Sequence, residues 1–340
     1  MTGTFGIRST SVVLGEPAPV LACAPEYVED VGRIRDLGFE TFYRAPDGVG
    51  VTDLAVRAGT AALAKADVPA DEVDLVVFAM ADVPEYLYWD AAASVQSRLG
   101  AVRAEAVLVN QACSSGVAAF DTVAGKFATH SEYRVALLIV ANRIPDAYWN
   151  RMDSATAVVS DGAAAAVLVR GHHEQRWLAT DVLTDGRYSD VLRMEIGGAR
   201  QPFVAGGPAP TPMGNPADLM KRFLGSNLRS TIKFVRYNRT RNREVLERAC
   251  KRAGVRPEDI DLVLHMNADA RTLKDYRVHC GLTRARTNTD LAREHGHFGA
   301  ADQLIALGLL RASDGVRTGE LVALTSTGNG MHWACTLLRA

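Results

Sequence analysis

The chain has 340 residues and a formal net charge of -1, so it can hold one large domain or two domains of ordinary size. A chain this close to neutrality lacks the basic excess that nonspecific binding to phosphate requires, and nucleic acid is not expected as a partner. The five cysteines are an odd number and contain no CxxC pair, which argues against a disulfide framework and a metal cluster. Neither a cofactor nor a metal ion is therefore expected.

The N-terminus and the apolar runs bear on cellular location. The first eight residues have no charged region followed by a long apolar core, so no signal peptide is expected. A membrane span needs about eighteen apolar residues uninterrupted by charge, and no such run occurs. We therefore expect a cytoplasmic protein that does not enter the membrane.

The predicted elements of the first half alternate between helix and strand, which is the order of an α/β layer. In chain order they are a strand over Phe5–Leu14, a surface helix over 24–37, a helix over 52–66, a strand over 75–79, a helix over Ala91–Leu99, a strand over 107–109, a helix that begins at Cys113, a strand over 135–140, and two strands within 157–169 around a turn at 160–162. This half ends near residue 170. We therefore divide the chain into halves 1–170 and 171–340.

Cys113 follows the apolar run 107–109 and stands where helical spacing begins. A cysteine on such a strand-to-helix turn lies near unpaired backbone N–H groups and the positive end of the helix dipole, which favour a negatively charged sulfur. Because that form of sulfur attacks carbonyl carbon, Cys113 is a candidate nucleophile. The alternative is a buried structural cysteine, the more common fate of a free cysteine.

The middle of the chain differs from both halves. Residues 171–220 are rich in Gly and Pro and lack sustained periodicity, which is typical of loops that cover a site. Helical spacing returns over 219–254, where basic residues greatly outnumber acidic ones. Such a helix presents either a solvated face or a docking surface for an acidic partner.

The second half repeats the pattern of the first. Residues 255–267 (VRPEDIDLVLHMN) match residues 68–80 (VPADEVDLVVFAM) without a gap, which indicates an internal repeat unless the similarity is fortuitous. After the second copy the predicted elements are a helix over Ala270–His279, a loop over 292–301, a helix to Ala312, a strand over 321–324, a turn at 328–330 and a strand over 333–338. Two halves of like pattern predict a pseudo-twofold fold.

Five features in this order resemble the thiolase superfamily, and in particular β-ketoacyl-acyl-carrier-protein synthase III and its acyltransferase relatives. They are the cysteine that opens a helix, SDGAAAAVLV at 160–169, the strand that ends at His265, HGHFGAA at 295–301 and GNGMHWACTLLR at 328–339. The likeness extends over nearly the whole chain. It implies an α/β fold of two duplicated halves in five layers (αβαβα), which usually forms a homodimer.

The resemblance also implies ping-pong chemistry, in which a thioester loads an acyl group onto a cysteine and a second substrate then takes it. By position, Cys113 matches the nucleophile and His265 matches a catalytic histidine at a strand end. The backbone N–H groups of Cys113 and Asn329 match the oxyanion hole, although the family usually has glycine where Asn329 stands. Without the resemblance, His265 would be interpreted as a core histidine.

His297 stands where the synthase III pattern has asparagine. A cysteine with two histidines is similar instead to the elongating ketosynthases, in which paired histidines support decarboxylation of a malonyl unit. We therefore expect a decarboxylating Claisen condensation, with Asp302 as the residue that orients His297. Acyl transfer to a hydroxyl or amine is the alternative, and a noncatalytic partner subunit is a third possibility. His295 is expected at the surface.

The thioester donor is expected to be acyl carrier protein, acyl-CoA or both. Members of the family primed by acyl-CoA carry a tryptophan and an arginine before a Thr-Gly-Ile segment, and the matching stretch 32–39 has neither in those places. The basic helix offers Arg229, Lys233 and Arg236 as candidates for docking the acidic helix of a carrier protein.

Overall fold

The computed structural model describes residues 4–207 and 213–340. Pro208, Pro210 and Pro212 of the Gly/Pro-rich middle lie outside the described residues, as do the first three residues of the N-terminus. Within the described part, no helix combines the length and the apolar character that a membrane span requires.

The strands and helices of the described residues are named in chain order. The strands are β1 (Phe5–Leu14), β2 (Glu16–Pro19), β3 (Thr41–Arg44), β4 (Leu75–Met80), β5 (Glu105–Val109), β6 (Val135–Asn142), β7 (Gly162–Arg170), β8 (Arg176–Thr184), β9 (Leu262–His265), β10 (Arg286–Thr287), β11 (Leu321–Gly328) and β12 (His332–Arg339). The helices are α1 (Val20–Tyr27), α2 (Val31–Leu37), α3 (Val51–Ala66), α4 (Ala91–Leu99), α5 (Ser115–Thr129), α6 (Pro216–Phe223), α7 (Leu228–Ala253), α8 (Ala270–His279), α9 (Thr289–His295) and α10 (Asp302–Ala312).

Two five-stranded sheets share one topology. The first has the order β1-β7-β6-β4-β5 and the second has the order β8-β12-β11-β9-β10. In the first sheet, β4 follows an acidic turn and pairs in parallel with β5 and β6, while β7 pairs antiparallel with β6 and β1. In the second sheet, β9 follows an acidic turn and pairs in parallel with β10 and β11, while β12 pairs antiparallel with β11 and β8. The duplication predicted from the sequence is therefore present in the fold.

Asp74 and Asp261 show the repeat at the level of single atoms. The backbone N–H of Asp74 donates to Val135 at the start of β6, and that of Asp261 donates to Leu321 at the start of β11. Each carboxylate accepts the N–H of the same residue, Val135 at 3.0 Å and Leu321 at 2.8 Å. Asp74 and Asp261 therefore fix the start of the central strands, β6 in the first sheet and β11 in the second.

The elements form five layers. Helices α5 and α10 lie between the two sheets, in a core cluster that contains Phe120, Leu307 and residues of both sheets. Helices α3 and α4 cover the outer face of the first sheet, and α7 and α8 cover that of the second. Because the strands are buried on both faces, β4 and β6 are continuous apolar runs, which is why the sequence predicted them well.

Four segments differ from the sequence predictions. The surface helix at 24–37 is two helices, because Asp30 caps α2 by accepting a hydrogen bond from Arg33 N–H. The run 219–254 is also broken, by Gly225 with a φ of 75° and by the N-cap Asn227. Residues 157–161 form no regular strand, and the sequence analysis missed strand β8 within the region assigned to loops.

Candidate active site

Cys113 lies on the turn between β5 and α5, two residues before the helix begins. The preceding residue, Ala112, has a φ of 50°, a left-handed conformation that a residue with a Cβ atom rarely adopts. Ser115 holds the turn, because its hydroxyl accepts a hydrogen bond from Gln111 N–H at 2.6 Å and lies 2.8 Å from the carbonyl oxygen of Met80. The half-buried Cys113 sulfur therefore has a fixed position at the ends of the parallel strands.

His297 lies directly against this cysteine. Its Nε2 atom is 3.6 Å from Sγ of Cys113. The backbone of His297 is hydrogen-bonded to the segment 158–160, where a strand was predicted and none forms: its N–H donates to Val158 and its carbonyl accepts from Ser160, both at 2.8 Å. Residues 158–160 thus serve as the support of the histidine loop, which explains why they do not form an independent strand.

Asp302, the residue expected to orient His297, lies directly behind its ring. Its Oδ2 atom lies 2.6 Å from Nδ1 of His297 and accepts the N–H of Asn267 at 2.7 Å, while Oδ1 accepts the N–H of Phe298 at 2.6 Å. The carboxylate is fully buried at the first residue of α10, where three donors and the helix dipole stabilise its negative charge. An ionised Asp302 requires a proton on Nδ1, which directs Nε2 of His297 toward Cys113.

The environment of His297 favours its charged form. Burial opposes a charge on the ring, but the Asp302 carboxylate and the Cys113 sulfur outweigh it and raise the pKa of His297 well above the ordinary histidine value. His297 can therefore hold the proton that leaves Cys113. Cysteine, histidine and aspartate together have the geometry of an activated nucleophile with its base and the residue that orients that base.

His265 is the second histidine of the site and has the opposite character. It ends β9, and its backbone N–H and C=O both hydrogen-bond to the side chain of Asn288, at 3.1 and 2.8 Å. Its Nδ1 atom lies 2.9 Å from the hydroxyl of Thr325, and the ring of Tyr276 stacks on the imidazole with centroids 3.7 Å apart. Burial lowers the pKa of His265 to about 3, so the ring is neutral at physiological pH.

The turn between β11 and β12 closes the other side of the cysteine. A Cβ atom on Gly328 would overlap the carbonyl oxygen of Gln111 and the hydroxyl of Ser114, so only glycine permits this approach to the Cys113 turn. The next residue, Asn329, lines the same cavity as Cys113, and its backbone N–H has no acceptor within the described ranges. Its side chain amide donates to Leu192 at 3.0 Å.

Cys113 lines a cavity of about 530 Å³, together with His265, His297 and Asn329. The structure thus brings together all the predicted catalytic residues. Residues of the Gly/Pro-rich middle, Val191 and Leu192, also line it, as expected for loops that cover a site. The sequence analysis missed Asn267 and the three residues that position His265, although Asn267 stands only two residues after His265.

Two groups of predicted residues lie elsewhere. His295 does not line this cavity and is half-buried rather than exposed, because its ring stacks on Tyr43 with centroids 5.6 Å apart. Arg229, Lys233 and Arg236 lie on the first half of α7, around a shallow depression that also contains Leu228 and Ile232.

Comparison with known proteins identifies the family. The models of 3-oxoacyl-[acyl-carrier-protein (ACP)] synthase III and of its C-terminal region match residues 109–186 and 250–340. The β-ketoacyl-[acyl-carrier-protein] synthase III of Rhodospirillum centenum is 30% identical over 310 residues, which cover 89% of this chain and 88% of the relative. The chain belongs to the β-ketoacyl-acyl-carrier-protein synthase III family. The predicted enzyme class, a Claisen-condensing ketosynthase that works through an acyl-cysteine, is thereby confirmed.

Solved structures support the same fold for this synthase III family member. A structure named as the acyltransferase ChlB3 superimposes with a TM-score of 0.85 at 20% identity and covers 99% of this chain and 97% of its own. The synthase III of Aquifex aeolicus VF5 superimposes with a TM-score of 0.77 at 23% identity and covers 99% of this chain and all of its own. At these identities the likeness concerns the fold alone, and it confirms the predicted thiolase-like architecture.

Proposed function

We propose that Cys113 is the residue that carries the acyl group. In the first half-reaction its sulfur attacks the carbonyl carbon of an acyl thioester, a new C–S bond forms, and the C–S bond to the carrier breaks. His297 takes the proton from Cys113 and delivers it to the departing carrier thiol. The contact of 3.6 Å between Cys113 Sγ and His297 Nε2, with Asp302 behind the ring, is the observation that supports this proposal most strongly.

The tetrahedral intermediate carries a negative oxygen that must be stabilised. We assign this role to the backbone N–H groups of Cys113 and Asn329, both of which belong to residues that line the cavity. A pair of aimed N–H donors stabilises such an oxyanion by about 3 kcal/mol for each donor. The amide of Asn329 supplies its N–H whatever its side chain, so the departure from glycine does not weaken this assignment.

In the second half-reaction the acceptor is a malonyl thioester bound to a carrier. Loss of carbon dioxide leaves the electron pair on the α-carbon as an enolate, which attacks the acyl carbon and releases the Cys113 sulfur. Before this step His297 regains a proton from solvent, since the Asp302 carboxylate favours its charged form, and it then donates from Nε2 to the thioester oxygen of the enolate. With the Thr325 hydroxyl donating to Nδ1 of His265, the neutral His265 also carries its proton on Nε2 and provides a second donor.

One observation favours a second candidate, direct transfer of the acyl group to a hydroxyl or amine. Asp302 holds His297 in the tautomer whose Nε2 faces Cys113, as in enzymes that activate a nucleophile for acyl transfer. Once Cys113 is acylated, a neutral His297 could take the proton of an attacking alcohol or amine. In that reaction a non-malonyl acyl group is transferred without loss of carbon dioxide.

Intact-mass analysis and carbon dioxide release test these proposals together. Thioesters should add an acyl mass to the wild type and to Cys23→Ala, a control at another half-buried cysteine, and no mass to Cys113→Ala. Acylated enzyme given a malonyl thioester should then release carbon dioxide in step with product. Acyl transfer to a small alcohol or amine without carbon dioxide release would favour the second candidate. Full activity of Cys113→Ala would favour a noncatalytic partner subunit.

We also propose that an acyl carrier protein delivers one or both substrates, with acyl-CoA as a further donor. The side chains of Arg229, Lys233 and Arg236 make no hydrogen bond or ion pair with any residue in 4–207 or 213–340, so their charges are available to an acidic partner. Leu228 is 75% exposed beside them and offers an apolar contact. A cytoplasmic location follows for an enzyme that uses these soluble thioesters.

We propose that the chain forms a homodimer, in which each subunit contains both halves, 1–170 and 171–340. Among the described residues, strand β5 pairs with β4 on one side and has an open edge on the other, and Leu108 within it is 41% exposed. Two such edges related by a twofold axis would continue the sheet across the interface. Sedimentation analysis gives the subunit number directly.

The boundary proposed at 170/171 agrees with sheet membership, since β7 ends at Arg170 and β8 belongs to the second sheet.

A further inference from the structure

A second and larger cavity adjoins the one that contains Cys113. Its volume is about 1090 Å³, and Asp82 and Met213 line both cavities. An acyl chain that is bound to Cys113 and longer than the first cavity would pass Asp82 and enter this space. The side chains of Tyr86, Trp89 and Phe203 supply apolar wall.

Most of the charged groups in this larger cavity are already paired. Arg98 donates to the Asp53 carboxylate at 2.6 Å and to the Thr52 hydroxyl at 3.1 Å. Glu85 accepts the N–H and the hydroxyl of Thr52 at 2.9 and 2.8 Å. These groups stabilise the start of α3, and their hydrogen bonds require no ligand.

Arg143 is different. It follows the end of β6 and lines the larger cavity, and its Nε atom is buried without a hydrogen-bond partner. No residue in 4–207 or 213–340 forms an ion pair with its guanidinium. A buried donor without a partner is costly, so such a group in a cavity wall indicates a missing acceptor.

The neighbouring Asp82 is not hydrogen-bonded to this arginine among the described residues. No ion pair of 4.0 Å or less joins them within the described part of the chain, and Oδ1 of Asp82 accepts the N–H of Val83 at 2.8 Å. Burial raises the pKa of Asp82, and the charge of Asp161 adds to this effect while those of Arg143 and Arg151 oppose it. The Arg143 guanidinium lies in the wall of the larger cavity, without a carboxylate hydrogen-bonded to it among the described residues.

This inference rests on the function proposed for Cys113. We propose that the acyl group loaded onto Cys113 is a dicarboxylic one, and that Arg143 binds the carboxylate at its far end. The planar guanidinium fork matches two carboxylate oxygens, and the aromatic wall contacts the methylene groups between the carboxylate and the thioester. Loading exchanges one C–S bond for another at the thioester carbon. The distal carboxylate takes no part in that step.

The test compares acylation of Cys113 by succinyl, glutaryl and adipoyl thioesters with acylation by their monomethyl esters. Each pair has the same chain length and differs mainly in the negative charge. The wild type should prefer the free acid over the ester by about tenfold or more at one length, as expected for one charge-assisted hydrogen-bonded pair. Arg143→Met should abolish this preference and leave butyryl loading unchanged. Arg317→Met, which removes an exposed arginine outside both cavities, should keep the preference.

The outcomes separate the two proposals. Absence of any acyl adduct from all donors, butyryl included, would remove the proposed function and this inference with it. Butyryl loading without a preference for acids, or a preference that survives Arg143→Met, would overturn the inference alone. A change in subunit association on Arg143→Met without a change in acyl preference would assign Arg143 to a contact with a second copy, which also overturns it. The wild-type comparison of acid with ester decides the matter even if the variant fails to fold.

Discussion

At the scale of single residues, the two histidines of the site have pKa values shifted in opposite directions. His297 lies between an anionic Asp302 and the Cys113 sulfur, which outweigh burial and raise its pKa. The ring of His265 contacts the uncharged Thr325 hydroxyl and Tyr276 ring, so burial prevails and, with the charge of His297 adding to it, lowers the pKa to about 3. One ring can therefore hold a proton at neutral pH, while the other stays a neutral hydrogen-bonding group.

Asp302→Asn tests the proton-holding role of His297. Without the carboxylate, burial dominates and the pKa of His297 falls, so the ring can no longer hold the proton of Cys113 at neutral pH. We expect acylation at pH 7 to slow by roughly 10²-fold or more. The wild-type rate should change little across neutral pH and fall only as His297 loses its proton at alkaline pH. The variant's rate should instead rise with pH, as hydroxide takes over the role of the base.

Rapid-quench acylation assays from pH 6 to 10 measure both profiles. Asp71→Asn, at an exposed aspartate in the turn before β4, is the matched control and should behave as the wild type. Parallel profiles for Asp302→Asn and the wild type would show that Asp302 only supports the fold.

His265→Ala should separate the two half-reactions. In the proposed mechanism, loading of Cys113 uses His297 and the oxyanion hole but not His265, so the adduct should form at a rate within a few-fold of the wild type. Condensation with a malonyl thioester should fall by about 10²-fold or more, because the enolate loses one of its two side-chain donors. His295→Ala, at a histidine outside the cavity, should leave both steps intact. Equal losses in both steps would contradict the role assigned to His265.

At the scale of elements, the active site depends on the contact between the β11–β12 turn and the turn before α5. Gly328→Ala introduces a Cβ atom that overlaps the carbonyl of Gln111, so one of the two turns must move. We expect a loss of about 1–3 kcal/mol in the free energy of unfolding. Acylation should slow by more than tenfold as Asn329 N–H is displaced.

Gly125→Ala within α5 provides the matched control for this substitution. Apart from the neighbouring backbone of α5, no described atom lies within 4 Å of a Cβ at Gly125, so alanine should stabilise the helix by about 0.5–1 kcal/mol and leave acylation unchanged. Urea unfolding and acylation rates measure both variants. Wild-type behaviour of Gly328→Ala would show that the contact between the turns has no role in catalysis.

The same elements show what the sequence alone could predict. Helix α4 and helix α8 have the predicted bounds, because their caps Asp90 and Asp269 are local signals. The short strand predicted at 157–159 was wrong, since Val158 and Ser160 bond to His297 far along the chain. Strand β8 was missed because it is a half-exposed edge strand that pairs with β12, so its apolar pattern is weak.

Cys113 was a candidate from its place between an apolar run and the start of helical spacing, whereas His265 and His297 were predicted through their position in family motifs. Cys113, His265 and His297 come from three separate segments, and no local pattern shows that they meet. The support of His265 was beyond sequence reasoning for the same reason. Asn288 precedes α9 and Thr325 lies in β11, and both contact the histidine only through the packing of the second sheet.

At the scale of the whole molecule, the charges are nearly balanced, but their distribution is uneven. The net charge is -1, whereas α7 carries many basic residues and few acidic ones. Several of these bases are already paired within the chain, for example Arg239 with Asp275 and Arg248 with Asp181. The three candidates for docking are distinguished from them by having no intramolecular partner in the described residues.

Charge reversal of Arg229, Lys233 and Arg236 to glutamate tests their role in docking. An acidic carrier protein would then meet a surface of its own sign, so we expect KM for acyl carrier substrates to rise by tenfold or more, with a smaller change in kcat. The wild-type rate with carrier substrates should decrease as salt is added, because screening weakens the attraction. Acyl-N-acetylcysteamine, a small thioester without a carrier, should be used equally well by both enzymes. An equal loss with the small thioester would locate the defect in the cavity and not in docking.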